Sequence, residues 1–161
     1  MNGDLMKNSK TFEEMINEAK VAIMDSTPES SVYVGCDSLR HKKGGKWHAT
    51  YSTCIVLHMS SKHGGKIFHF TETLPDYGSM KQRLLNEVGY CVRAASDLID
   101  ANVIGDRSLE IHCDINPSPN HKSSVAAKEA IGYIRGTFGF DPKLKPLSWC
   151  ATHSADHIVR H

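Results

Sequence analysis

At "PDYGS", residues 75–79, the hydrophobic period of this chain changes. Before it, three runs read as strands: "SVYVGCDS" (31–38), "WHATYSTCIVLHM" (47–59) and "KIFHFTETL" (66–74). They are rich in β-branched and aromatic residues and are joined by short polar connections, "RHKKGGK" and "SSKHGG". After it, Met80, Leu84, Val88, Cys91, Val92, Ala95, Leu98 and Ile99 recur at helical spacing on one face. A fourth strand, "SLEIHCDI" (108–115), a helix over 122–136 closed by Gly136 or Gly139, a short fifth strand "PLSWCA" (146–151) and a last helix "THSADHIVRH" (152–161) follow. Ahead of everything, residues 11–24 carry Phe12, Met15, Ile16, Ala19, Ala22 and Ile23 at helical spacing, with Ser9 or Thr11 as cap. Adjacent strands followed by strands separated by helices require a mixed sheet, because the later strands add in parallel through right-handed crossovers. The expectation is an α/β fold with a five-stranded mixed sheet in the order β-β-β-α-β-α-β-α and an extra N-terminal helix. The 161 residues make one domain, with 1–30 as its helical extension.

Two of these strands end on Cys-Asp. If strand 4 lies beside strand 1, Asp37 and Asp114 stand at the carboxyl ends of neighbouring parallel strands, where open α/β sheets place their ligands. Taken singly, each reads equally well as an ordinary turn aspartate bonding nearby backbone N–H groups. Glu87 lies between Leu84 and Cys91 at the border of the long helix's apolar stripe, either snorkelling from a packed helix or aimed at the sheet edge. In the last segment His153, Asp156 and His157 share one helical face, and the plain alternative is a frayed, solvated terminus. Converging carboxylates repel and raise one another's pKa, so such a cluster is costly without a cation. A pair of Mg²⁺ or Mn²⁺ ions with hard oxygen ligands would relieve it, as in two-metal phosphodiester cleavage.

Composition narrows the setting. A hydrophobic fraction of 40% and a charged fraction of 23% are ordinary for a globular chain, and a formal charge of +1 leaves a nucleic-acid partner to be judged from local patches. The five cysteines, odd in number and without a C-x-x-C pair, read as buried reduced thiols of a cytosolic protein. With no apolar leader in "MNGDLMKNSK" and no apolar run near 18 residues, the expectation is a cytoplasmic protein with no membrane partner. Arg40, His41, Lys42, Lys43 and Lys46 sit on the connection after Asp37, where they hold phosphates or simply solvate a turn. Lys122 with Ser123 and Ser124 offers either a helix cap or a further anion site.

"VYVGCDS", "EIHCDINPSPNHKSS", "AIGYIRGTFGF" and "SWCATHSADH" resemble the YkuK-like family of small ribonuclease-H-like proteins of bacteria and phages, over about residues 11–161. The resemblance implies a ribonuclease-H-like sheet with Asp37 as first-strand acid, Glu87 as helix acid, Asp114 as fourth-strand acid and Asp156 as terminal-helix acid, all four holding two Mg²⁺ or Mn²⁺ ions. His153, three residues before Asp156, resembles the His-x-x-Asp arrangement of Holliday-junction resolvases, in which the histidine assists metal or water. Superfamily exonucleases match less well, since their first motif is Asp-x-Glu and position 39 here is Leu39. The implied activity is a metal-dependent nuclease with a DNA or RNA partner. The alternative is a non-catalytic module, phage-encoded on one reading, that binds nucleic acid or a host protein. A His/Cys metal site at Cys150, His153, His157 and His161 fits no compact zinc spacing. Oligomeric state stays open, with a dimer as one option because resolvases of this fold are two-fold dimers.

Overall fold

The computed structural model describes residues 10–60 and 64–150. Helix α1, Phe12–Asp25, is capped by Thr11, whose hydroxyl accepts the Glu14 N–H, and it buries Phe12, Met15, Ile16, Ala19 and Ile23. Three long strands follow: β1 (Ser31–Lys43), β2 (Lys46–Ser60) and β3 (Gly64–Pro75). Helix α2 spans Met80–Asp100, strand β4 Ser108–Cys113, a 3₁₀ turn Lys122–Ala126 and helix α3 Ala127–Phe138. Gly139, in the left-handed region at φ 82°, ends α3 as a C-cap.

The sheet order is β3-β2-β1-β4, antiparallel from β3 to β1 and parallel between β1 and β4. Strand 4 therefore lies beside strand 1, joined to the earlier strands through α2. One sheet face carries Val32, Val34, Tyr51, Ile55, Leu57 and Ile111 into a core shared with α1 and α2. On the other, Cys54 and Cys150 pack with Tyr33 and Val56. All five cysteines are buried and free of disulfides. No helix among the described residues is long and apolar enough to cross a membrane.

Two expectations need correction. The basic connection "RHKKGGK" is mostly strand: β1 and β2 stay paired out to Lys43 and Lys46, and only Gly44 and Gly45, both at positive φ, make the turn. Backbone pairing continues regardless of how polar the side chains become. The expected fifth strand over 146–151 is not formed at its described residues. Among the described residues after α3, Lys143 alone bridges β4, its carbonyl accepting the Cys113 N–H at 2.9 Å and its own N–H donating to the Ile111 carbonyl at 2.8 Å. Pro142 and Pro146 flank it without amide donors, and Leu147 and Ser148 turn back onto the Leu144 carbonyl.

Candidate active site

The parallel pairing of β1 and β4 ends at Cys36 opposite Cys113, so Asp37 and Asp114 are the next residue on each strand. Asp37 continues in β1 opposite Ser52, whereas the chain leaves the sheet at Asp114. An Asx turn at Asn116 follows, with its side-chain oxygen accepting the Ser118 N–H. Both carboxylates thus stand at the carboxyl edge of a parallel strand pair, as the strand order predicted.

Glu87 reaches this edge from α2. It is 6% exposed and lines a narrow crevice with Asp114, Cys36, Cys91 and Cys113. Burial pushes its carboxyl well above the ordinary value; the Asp37 charge pushes further, the Ser38 hydrogen bond opposes, and Asp114 adds to the rise. Ser38 ties two of the acids together. Its N–H donates to Asp37 Oδ1 at 2.9 Å, and its hydroxyl donates to Glu87 Oε2 at 2.6 Å. Asp114 Oδ1 is met by Lys145 Nζ at 2.7 Å. Directly before Cys113, His112 is buried, accepting the N–H groups of Trp149 and Cys150 at Nδ1 (3.1 and 3.2 Å), while Nε2 faces Glu110. It thereby fixes the point from which the C-terminal segment departs.

The sequence singled out neither Ser38, Lys145 nor His112. Their partners lie far along the chain, and no local spacing signals such contacts. His153, Asp156, His157 and His161 lie outside the described residues. The basic set is placed differently from expectation. Arg40 is engaged with Asp76 and lies over the Trp47 ring at 4.1 Å, so it belongs to a structural cluster. Lys43 is six strand residues beyond Asp37, about 20 Å along an extended chain. Lys42, Lys43 and Lys46 are exposed at the hairpin end, away from the acids. Lys122 is exposed on the 3₁₀ turn, and the Ser123 hydroxyl accepts the Asn116 N–H at 2.9 Å.

The donors are all hard carboxylate oxygens, and the rise at Glu87 comes first from burial and then from the charges of Asp37 and Asp114, a repulsion that a divalent cation would relieve. Donor chemistry thus fits Mg²⁺ or Mn²⁺. The arrangement is not closed around an ion: among the described residues no three His, Cys, Asp or Glu side chains form a group that would hold one.

No curated protein and no solved structure matches the chain significantly. The ribonuclease H-like family model matches residues 13–160, across every element just described, and the chain belongs to that family.

Proposed function

We propose that the chain is a divalent-metal-dependent nuclease that hydrolyses phosphodiester bonds of nucleic acid. Asp37, Glu87 and Asp114 hold the ions, joined by Asp156 from the C-terminal segment, and His153 assists proton transfer. The observation that carries this reading is Glu87, a buried carboxylate brought from a helix to the edge where two strand aspartates end. A core helix has no structural need for an acid there, and burying one unpaired by a cation costs stability. Two bound Mg²⁺ or Mn²⁺ ions supply an activated water and stabilise charge on the leaving oxygen. The protein's own part is orientation: Ser38 sets Asp37 and Glu87 relative to each other. The Lys145 ammonium offsets the Asp114 charge and would compete with a cation held there.

The test compares wild type with Asp114→Asn on labelled single-stranded, duplex, hybrid and four-way-junction substrates in Mn²⁺, Mg²⁺ and EDTA. Metal-dependent cutting that falls by at least about a hundredfold in the variant, with melting within a few degrees, is the expected result. Equal cutting by both proteins removes Asp114 from the mechanism. One observation favours the second reading, a non-catalytic binding module: Lys145 already neutralises Asp114 without any metal. That reading expects no Mg²⁺-dependent rise in melting temperature.

A further inference from the structure

Beside Glu87, between the ends of β2 and β3 and the first half of α2, lies a groove of about 610 Å³. Tyr51 and Leu74 floor it, Gln82, Arg83 and Asn86 form its helical wall, and Tyr77 stands at its rim. None of the three acids of the site lines it, but two of its lining residues neighbour Glu87 and its hydrogen-bond partner. Asn86 immediately precedes Glu87, and Tyr51 is the cross-strand partner of Ser38, which holds Glu87. A line of amides runs through it: Gln82 Nε2 donates to Asn86 Oδ1 at 2.9 Å, and Asn86 Nδ2 donates to the Tyr51 hydroxyl at 3.0 Å.

Tyr77 is 92% exposed, yet the turn that carries it is fixed on both sides. The Asp76 N–H donates to the Trp47 carbonyl, and its carboxylate, 4% exposed, takes Arg40, Arg83 and the Gly78 N–H. Gly78 holds a φ of 88°, which a side chain would strain, and Ser79 then caps α2 by accepting the Gln82 N–H. The fold thus anchors the turn that carries Tyr77 while leaving the side chain almost wholly exposed. Two guanidiniums against the one carboxylate of Asp76 leave the wall with net positive charge.

We propose that this groove is a nucleotide subsite that takes an unpaired base next to the cleaved phosphate. Tyr77 stacks on the base, the Gln82 carbonyl oxygen and its second amide N–H read the base edge, and Arg83 meets the adjoining phosphate. This rests on the nuclease reading and narrows its substrate to strands with an unstacked nucleotide at the site: single strands, loops, or bases turned out of a duplex. A base within a continuous duplex has both faces stacked and its edge paired, so it does not enter. Pocket size and lining, mainly apolar with a few convergent polar groups, are those of a small-molecule site.

The test is a cycle between protein and substrate. Binding of wild type, Tyr77→Ala and Tyr77→Phe is measured by fluorescence anisotropy in Ca²⁺ and in EDTA. The probes are a labelled single strand and a set of the same strand with one abasic nucleotide moved along it. Because Tyr77 is exposed, the variants should melt with wild type, which checks folding directly. The expected result is about a tenfold loss for Tyr77→Ala on the intact strand, no further loss on the strand abasic at one position, and wild-type binding by Tyr77→Phe. Equal losses on every strand, no loss at all, or a wild type that binds no strand overturn the subsite. Metal-dependent cutting lost in Asp114→Asn, seen together with any of these results, leaves the nuclease standing and removes only the groove.

Discussion

On the proposed nuclease reading, the Lys145–Asp114 ion pair is the contact with which a cation at Asp114 would compete. The ammonium is 43% exposed and the carboxylate 20%, so solvent screens the pair and its loss costs less than about 1 kcal/mol of folding stability. Lys145→Met should then melt within about 2 to 4 °C of wild type in EDTA. It should show a larger rise in melting temperature on Mn²⁺ addition, because Asp114 no longer exchanges one cation for another. An unchanged metal-induced rise would mean that the amine does not compete for the site. His112 makes a second residue-scale prediction. Burial lowers its pKa, the Glu110 bond opposes this, and the Lys143 charge reinforces it. The folded state keeps the ring neutral because Nδ1 accepts two backbone N–H groups. Between its lowered value and the ordinary 6.5 the unfolded chain carries the extra proton, so stability is full above 6.5 and falls as pH drops below it. Melting between pH 7.5 and 5, followed by Trp149 fluorescence beside the His112 ring, should show that acid limb, and His112→Asn should flatten it. The placement of Asp37 and Asp114 at the end of one parallel strand pair, with Glu87 on the neighbouring helix, was legible in the sequence because each lies in or borders a locally readable element, although β1 runs on past Asp37 to Lys43. Ser38 and Glu87, 49 residues apart, were not, since only the folded sheet brings a hydroxyl to that carboxylate.

Helix α2 shows how far an element can be read from periodicity and where its edges escape. Leu84, Val88, Cys91, Val92, Ala95 and Leu98 are buried as the spacing required, but Met80 and Ile99, at its two ends, are 38% and 37% exposed. The apolar stripe fixes a face, and tertiary packing decides how much of its length is covered. Leu98→Ala should therefore cost about 2 to 5 kcal/mol and Ile99→Ala well under half of that, read as urea midpoints at constant m. Equal costs would place Ile99 in the core. The three-stranded meander was legible for the same local reason, with its runs bounded by glycine-bearing turns. The extension of β1 to Lys43 was not: its last residues carry no apolar signal and are held by pairing with β2. At 146–151 the apolar residues imitated a strand. Proline, which removes the amide a ladder needs, limits the pairing to the bridge at Lys143.

Across the whole molecule the charges nearly cancel, 19 basic against 18 acidic side chains, so any grip on nucleic acid comes from how they are distributed. The acids gather where β1 and β4 part, and Lys42, Lys43 and Lys46 gather at the far end of the β1–β2 hairpin. A strand whose phosphate lies at the acids and whose neighbouring nucleotides run along the hairpin meets about three lysines some 20 Å away. Counterion release then assigns these three lysines about −2 of the slope in a plot of log affinity against log salt for single strands, about −0.7 for each contact. Replacing all three by alanine should make the slope shallower by about that amount, leaving the share of Arg83, and weaken binding at low salt, while the Mn²⁺-induced rise in melting temperature stays as in wild type. These side chains are exposed, so melting in EDTA should not move by more than about 2 °C. A slope that the triple substitution leaves unchanged would route the strand away from the hairpin, past Lys122 on the 3₁₀ turn, and the same salt series on Lys122→Ala would then register the lost contact.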